Sequence, residues 1–231
     1  MKRITMLLTA ALAFLFSGCT SSHTDYEGQI RDLKQQIQKQ TQAIDDLKQQ
    51  NEKLTEKAAA SDDRVEGNLL QIALAVAQAL KEKNMEQLSL YVDSEKGVRF
   101  SPYGHVNVKT DLVFTPKQLP SLMESGQTYQ FGEFDGSGEP IKMTFGQYFD
   151  RFVYDVDFAN PQLIGNNVIV GKGNTLQNIQ EAYPNSAFVE FHFTGFDQQY
   201  DGMDWRSLRL VFEQRSGVWC LVGIVHDQWT A

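Results

Sequence analysis

The stretch LRLVFEQRSGVWCLVGIVHDQW, residues 208–229, decides the fold class of this chain. Its two halves are rich in β-branched and aromatic residues, and they flank the short polar segment Arg215-Ser216-Gly217. This pattern predicts two strands, Ser207 to Glu213 and Trp219 to His226, joined by a tight hairpin turn. Phe188 to Phe193 has the same composition and predicts a third strand.

Apolar residues at helical spacing precede these strands. Residues 69–80 place one apolar stripe on a helix, and residues 85–92 predict a second, shorter helix. Thr144 is expected to cap a helix that runs to Val153. Helices of this kind next to a β-rich C-terminal part predict the α+β class. The remaining expected elements are extended segments at residues 98–100, 106–113 and 129–134 and short helices at residues 116–119 and 175–182.

Two early helices, the strand GVRF (residues 97–100) and the closing hairpin together resemble the nuclear transport factor two-like superfamily. The resemblance covers residues 65–231. It implies a cone-like domain, in which a strongly curved antiparallel sheet packs on N-terminal helices. The domain also resembles an uncharacterised family of bacterial exported proteins, from which no activity carries over. The segments that carry this second resemblance are GVRFSPYG, FDGSGEPI, FVYDVDF, GKGN and GMDWRSLRLVF.

The N-terminus has the features of an export signal. Two basic residues open the chain, residues 4–16 are almost wholly apolar, and small residues precede Cys19. This order predicts a signal peptide over residues 1–18, because the apolar run is too short to span a bilayer. LFSGC, residues 15–19, resembles the lipobox of bacterial lipoproteins. That resemblance implies cleavage before Cys19, a diacylglyceryl group with palmitate-type acyl chains on its sulfur, and a domain outside the cytoplasm, at the cell membrane or outer membrane. The alternative is an ordinary secretory signal with a chance cysteine.

A small polar leader, residues 19–28, is expected to be followed by a coiled-coil-type helix over residues 29–61. The helix carries an apolar heptad pattern without Pro or Gly up to residue 60. The pattern predicts a possible homodimer through this helix. The alternative is a solvated single helix that acts as a spacer. Position a is occupied by Ile30, Ile37, Ile44, Asn51 and Ala58, and position d by Leu33, Gln40, Leu47 and Leu54.

Composition excludes several classes of partner. The formal net charge of −8 repels phosphate backbones, so we expect no nucleic acid to bind. The chain has two cysteines, and lipid on Cys19 would leave Cys220 without an intrachain disulfide. No His-x-x-x-His or cysteine cluster predicts a metal site, and Gly171-Lys172-Gly173-Asn174-Thr175 lacks the spacing of a phosphate loop. We therefore expect no metal and no cofactor.

Two sets of polar residues are candidates for chemistry. Alternation places Glu190 and His192 on one face of their strand, and with His226 they would converge on a cavity as an acid/base site if the strands meet inside a cone. The alternative is hydrogen-bonded strand histidines without a catalytic role. Asp204, Arg206 and Arg209 form the second set and predict either a polar anchor for a ligand or an ion pair that orders the start of a strand.

These features predict a membrane-anchored, extracytoplasmic lipoprotein. Its domain is expected to be a non-catalytic module of the cell envelope that binds an unknown ligand or envelope protein. The first alternative is a small-molecule isomerase, dehydratase or hydrolase that uses a pocket in the cone. A second alternative is a structural spacer without a pocket. The fold alone does not decide among them, because function depends on the site.

Overall fold

A computed structural model describes residues 24–60 and 68–230. The chain divides into two compact units, Met1–Asp62 and Asp63–Ala231. The expected signal peptide and the expected lipid-attachment residue, Cys19, lie outside the described residues. Within the described ranges, no helix combines the length and the apolar character needed to cross a bilayer.

The first unit contributes one long helix, α1 (Thr24–Ala60). At about 1.5 Å per residue it is roughly 55 Å long. The helix begins before the segment that the heptad pattern predicted, and it includes Gly28. Four apolar residues of the pattern, Ile30, Leu33, Ile37 and Ile44, are each at least half exposed.

The second unit contains the remaining helices and strands, in the order of a mixed α+β domain. Its helices are α2 (Leu69–Lys81), α3 (Met85–Ser89), α4 (Leu119–Leu122), α5 (Phe145–Phe152) and α6 (Ile179–Ala182). Its strands are β1 (Val98–Ser101), β2 (Leu112–Phe114), β3 (Thr128–Glu133), β4 (Pro140–Thr144), β5 (Leu163–Asn166), β6 (Ser186–Phe193), β7 (Arg206–Arg215) and β8 (Val218–Gln228).

Six strands form the main sheet, in the order β2-β1-β8-β7-β6-β5, and β3 pairs with β4 in a separate hairpin. The expected α+β class is confirmed, but the sheet is mixed and not purely antiparallel. β1 and β8 run parallel, with Phe100 opposite Ile224, and all other pairs in the sheet are antiparallel. A parallel pair is possible here because no hairpin joins β1 to β8, which lie at opposite ends of the domain sequence.

Local sequence fixes the ends of several elements. In the β7–β8 turn, Ser216 and Gly217 have φ angles of 53° and 84°, the conformation of a two-residue type I′ hairpin. Thr144 caps α5 as expected, in a capping box with Gln147. Asn68 and Gln71 form the same box at the start of α2. These caps satisfy N–H groups that the helix itself leaves without partners.

The two sides of the main sheet differ in what covers them. One side, which we call the helix side, carries Phe191, Leu208 and Ile224 and packs in one core with α2 and α5. The other, which we call the strap side, carries Phe188 and Val225 and packs on Ile179 and Tyr183 of α6 and its C-terminal end. We call residues 167–178, which precede α6, the strap. Polar residues buried between the strap and the sheet form the candidate site.

Candidate functional site

The centre of β6, β7 and β8 brings five polar side chains to the strap side of the sheet. Glu190 lies opposite Arg209, and Ser207 lies between His192 on one neighbouring strand and Asp227 on the other. All five residues are buried, and Glu190 and Arg209 have no exposed surface. A charged residue in this position requires a partner, because transfer of an ion from water to the protein interior costs on the order of several kcal/mol.

Arg209 is the centre of the cluster. Its Nε donates to Glu190 Oε2 at 3.0 Å, and its Nη2 donates to Glu190 Oε1 at 3.3 Å and to the Gly171 carbonyl at 3.1 Å. Its Nη1 donates to Asp227 Oδ2 at 2.9 Å and to Gln177 Oε1 at 2.8 Å. Each N–H of the guanidinium therefore has an acceptor, which is the condition for burying an arginine.

Glu190 connects the sheet to the strap. Its Oε2 accepts from the Val170 N–H at 2.9 Å, and its Oε1 accepts from the Gly171 N–H at 2.8 Å. The Ser207 hydroxyl donates to Oε1 as well, at 2.6 Å. Charge-assisted bonds to backbone N–H groups are among the stronger hydrogen bonds in proteins. The Glu190 carboxylate therefore holds the backbone N–H groups of the strap, and the Arg209 guanidinium holds the Gly171 carbonyl and the Gln177 side chain.

The glycines of the GKGN segment allow the strap backbone to pack closely against Ser207 and Trp205. A Cβ on Gly171 would collide with the Ser207 hydroxyl and come within 2.7 Å of Trp205 Cζ3, and one on Gly173 would come within 3.0 Å of Trp205 Cζ2. The short helix α6 begins only at Ile179, later than the sequence predicted, and its start has no side-chain cap. Glycine is needed here because the strap backbone lies directly on Trp205 and the charged cluster.

His192 extends the cluster toward Trp205. Its Nδ1 lies 2.8 Å from Ser207 Oγ, and its ring centroid lies 5.9 Å from that of Trp205. Because the Ser207 hydroxyl already donates to Glu190, its oxygen accepts, and Nδ1 carries the proton of a neutral imidazole. Burial lowers the pKa of His192, opposed by the negative charge of Glu190. Ser207 is thus a donor to a carboxylate and not an activated nucleophile.

Asp227 completes the charge balance on the other side of Arg209. Its Oδ2 accepts from Arg209 and from the Gln177 side-chain amide at 2.7 Å. Burial raises the pKa of Asp227, and the adjacent charge of Arg209 opposes that effect. Two carboxyl groups and one guanidinium therefore share one enclosed set of hydrogen bonds.

His226 does not join Glu190 and His192, which corrects the expected convergence. It lies opposite Leu208 on the helix side, between the rings of Phe152 and Phe158. The register of β7 and β8 places the next residue, Asp227, on the strap side. Successive side chains of a strand alternate between faces, so only one of the two neighbours can reach the cluster.

On the helix side, His226 belongs to a smaller ionic group. Its Nε2 lies 3.2 Å from Asp155 Oδ1, and Asp155 Oδ2 accepts from Arg206 Nε at 2.8 Å. Burial acts to raise the pKa of Asp155, but its contacts with His226 and Arg206 outweigh that effect and lower it. The Nδ1 atom of His226 is buried and has no hydrogen-bond partner among the described residues.

Asp204, Arg206 and Arg209 likewise separate. Asp204 lies in the loop before β7, where its Oδ2 accepts from the backbone N–H groups of Phe196 at 3.0 Å and Asp197 at 2.9 Å. Arg206 bonds to Asp155 on the helix side, and Arg209 lies in the cluster on the strap side. Each has its own structural partners, so the three residues do not form one ligand anchor.

The sequence did not single out four members of these two groups: Ser207, Asp227, Gln177 and Asp155. Side chains two residues apart on a strand lie on the same face, which relates Ser207 to Arg209 on β7 and Asp227 to Val225 on β8. Ser207 and Asp227 were therefore predictable from the alternation of side chains along these strands. Gln177 and Asp155 come from loops, and no local pattern connects them to the sheet.

Other features of the described residues offer little for a metal or a large ligand. No group of three or more His, Cys, Asp or Glu residues in these ranges is placed to hold a metal ion. A groove of about 240 Å³ lies beside α6, apart from the charged cluster. It is lined by Asn167, Ile179, Gln180, Tyr183, Pro184, Ser186 and Phe188.

Comparisons with known proteins leave the family open. No family model matches the chain, and no curated protein matches it. Among solved structures, one match is a Xanthomonas campestris protein described as a calcium/calmodulin-dependent protein kinase II association domain. The two sequences are 13% identical, and the match covers 71% of this chain and 89% of the other. The TM-score of 0.27 is too low to carry an argument about fold or function.

Proposed function

We propose that the chain is a lipid-anchored lipoprotein of the bacterial cell envelope, with a non-catalytic binding or protein-interaction module in residues 65–231. The export signal and the lipobox-like segment support the anchor at Cys19, in the cell membrane or outer membrane. Two or more acyl chains would hold such a protein stably on a bilayer, where one chain is marginal. Helix α1 would act as the spacer between the lipid and the domain.

The observation that carries the non-catalytic proposal is that structural hydrogen bonds occupy both oxygens of Glu190, while His226 lies away from Glu190 and His192. A general base needs a lone pair that faces the substrate. Both oxygens of Glu190 accept hydrogen bonds from Arg209 and the strap, and His192 is bonded to Ser207 through Nδ1. His226 lies on the opposite side of the sheet. Among the described residues, the three side chains on which the isomerase, dehydratase or hydrolase alternative depends do not converge, and this supports the non-catalytic proposal.

The cone-like description is part of the same proposal. Strands β1, β2, β6, β7 and β8 of the main sheet share one core with α2, α5 and the β3–β4 hairpin. The core is rich in aromatic rings, and Phe131 of β3 stacks on Tyr148 of α5 with ring centroids 3.8 Å apart. This arrangement supports a nuclear transport factor two-like domain in which side chains fill the interior. A crystal structure of the chain would test it, through superposition on a cone-forming member of the superfamily.

Chemical modification of histidine distinguishes the proposed binding module from the enzyme alternative. We expect diethylpyrocarbonate to modify the exposed residue His105 rapidly in the folded chain, and to modify His192 and His226 only after unfolding in urea. Peptide mass spectrometry would follow each site over time. Reaction of His192 at the rate of His105 would show an accessible imidazole, and that result would contradict the closed cluster and favour the enzyme.

Membrane fractionation tests the anchor. We expect the wild-type chain in the membrane fraction and the Cys19→Ser variant among the water-soluble extracytoplasmic proteins. Cys220→Ser is the matched control, because it removes the other cysteine from a buried position in the domain. If Cys19→Ser remained in the membrane fraction to the same extent as Cys220→Ser after residues 1–18 had been removed, as checked by mass spectrometry, the lipid anchor would be refuted.

A further inference from the structure

The apolar stripe of α1 remains accessible over the part of the helix whose side chains are described. Ile30, Leu33, Ile37 and Ile44 are 50%, 57%, 60% and 52% exposed, respectively. Their spacing follows positions a and d of a heptad, and Leu47 and Leu54 continue position d in the sequence. An amphipathic helix gains most of its stability when such a stripe packs against another surface.

The residues at positions e and g, which flank the stripe, determine which charges meet across a pair of helices. Positions e and g over residues 29–60 carry only neutral residues and three lysines, Lys34, Lys48 and Lys57. The acidic residues of the same range all occupy positions b, c or f, which face away from a coiled-coil partner. They are Asp32, Asp45, Asp46, Glu52 and Glu56.

This distribution is compatible with a parallel pair, and Asn51 favours that orientation over an antiparallel one. In a parallel pair, position g faces position e of the partner helix. Lys34 then lies beside Gln29 of the other helix, and Lys48 beside Ala43, without contact between like charges. In an antiparallel pair, position a faces position d of the other helix, so Asn51 would not face its counterpart.

We propose that α1 pairs with α1 of a second copy of this chain as a parallel, in-register, two-stranded coiled coil. Isoleucine at a with leucine at d favours two strands, and Asn51 at a fixes the register by facing its counterpart. The proposed lipid anchor supports the same orientation, since both residues 19 must reach one membrane. In that respect the inference rests on the proposed function, whereas the heptad argument stands without it.

Cysteine cross-linking in the host membrane tests orientation and register together. Ile30→Cys and Ile44→Cys place a thiol at a, and Gln35→Cys and Gln42→Cys place one at f as matched controls, all in the Cys220→Ser full chain. With a mild copper–phenanthroline oxidant, both a-position variants are expected to form covalent dimers, and the f-position variants only a trace. Equal yields at a and f, no dimers at a, or a dimer only when the Ile30→Cys and Ile44→Cys chains are mixed would overturn the proposal.

Sedimentation of the chain in solution provides a second, lipid-independent readout. In the Cys19→Ser chain, we expect the Ile37→Asp/Ile44→Asp variant to sediment as a monomer and the Gln35→Asp/Gln42→Asp control as a dimer. If both variants sediment alike, as dimers or as monomers, the stripe is not the interface. Because this experiment needs no lipid, loss of the dimer is distinguishable from failure of the proposed anchor.

Discussion

Replacement of Arg209 by Met is the perturbation that tests the charged cluster most severely. The substitution keeps most of the side-chain volume but removes the donors that Glu190, Asp227, Gln177 and the Gly171 carbonyl share. Two carboxyl groups then remain inside the protein without a counter-charge. Removal of one partner of a buried ion pair costs about 3–5 kcal/mol, and we expect a loss of unfolding free energy of that size.

Arg206→Met is the matched control for this experiment. Arg206 lies three positions earlier on the same strand, but its side chain is 27% exposed, and its partner Asp155 also bonds to His226. Partly exposed ion pairs contribute about 0–1 kcal/mol, so we expect a loss of no more than about 1 kcal/mol. The contrast between the two arginines therefore isolates burial and charge from the general effect of losing an arginine.

Urea denaturation followed by tryptophan fluorescence measures both losses, because all three tryptophans, Trp205, Trp219 and Trp229, lie in the domain. A Glu190→Met substitution added to Arg209→Met removes one unpaired charge. The double variant is expected to lose about 1–3 kcal/mol less than the sum of the two single variants. Equal losses for Arg209→Met and Arg206→Met, or strictly additive single losses, would refute the account of the cluster.

Three further predictions concern the strap, the buried histidine and the hairpin. Gly171→Ala should lower the free energy of unfolding by about 1–3 kcal/mol, because its Cβ meets Ser207 and Trp205. The control is Gly126→Ala, whose Cβ meets no atom within 4 Å and which should change that free energy by less than about 0.5 kcal/mol. Equal effects of the two substitutions in urea denaturation would contradict the packing argument. Burial lowers the pKa of His192 in the folded chain, so as pH falls the unfolded chain takes up a proton at this residue first. The free energy of unfolding should therefore decrease as pH falls from 6.5 to the lower pKa of the folded chain. His192→Gln should reduce this pH dependence, and identical pH dependence in wild type and variant would contradict the prediction. Gly217→Ala should lower the melting temperature by straining a residue at φ 84°, and an unchanged melting temperature would exclude a type I′ turn.

The closing hairpin and the capped helices were accessible from sequence because their signals are local. β-branched residues on both sides of a Ser-Gly turn identify β7 and β8, and Thr144 identifies the start of α5. β4 and β5 gave no such signal. They are short strands, and pairing with β3 and β6 stabilises them, so their conformation depends on contacts that no local pattern records.

The candidate site was predictable only within single strands. Alternation correctly placed Glu190 and His192 on one face, but how β8 aligns with β7 depends on register and on an irregularity near Val211. A shift of one residue exchanges the faces, and so Asp227 joined the cluster where His226 was expected. The contributions of Gly171 and Gln177 come from the strap, whose path over the sheet is set by tertiary packing.

Mass spectrometry of the N-terminal peptide of the native protein tests the central claim most directly. The account predicts a chain that begins at Cys19, with residues 1–18 removed and a diacylglyceryl group in thioether linkage to the sulfur. An unmodified Cys19 thiol, or a peptide that still contains residues 1–18, would contradict it.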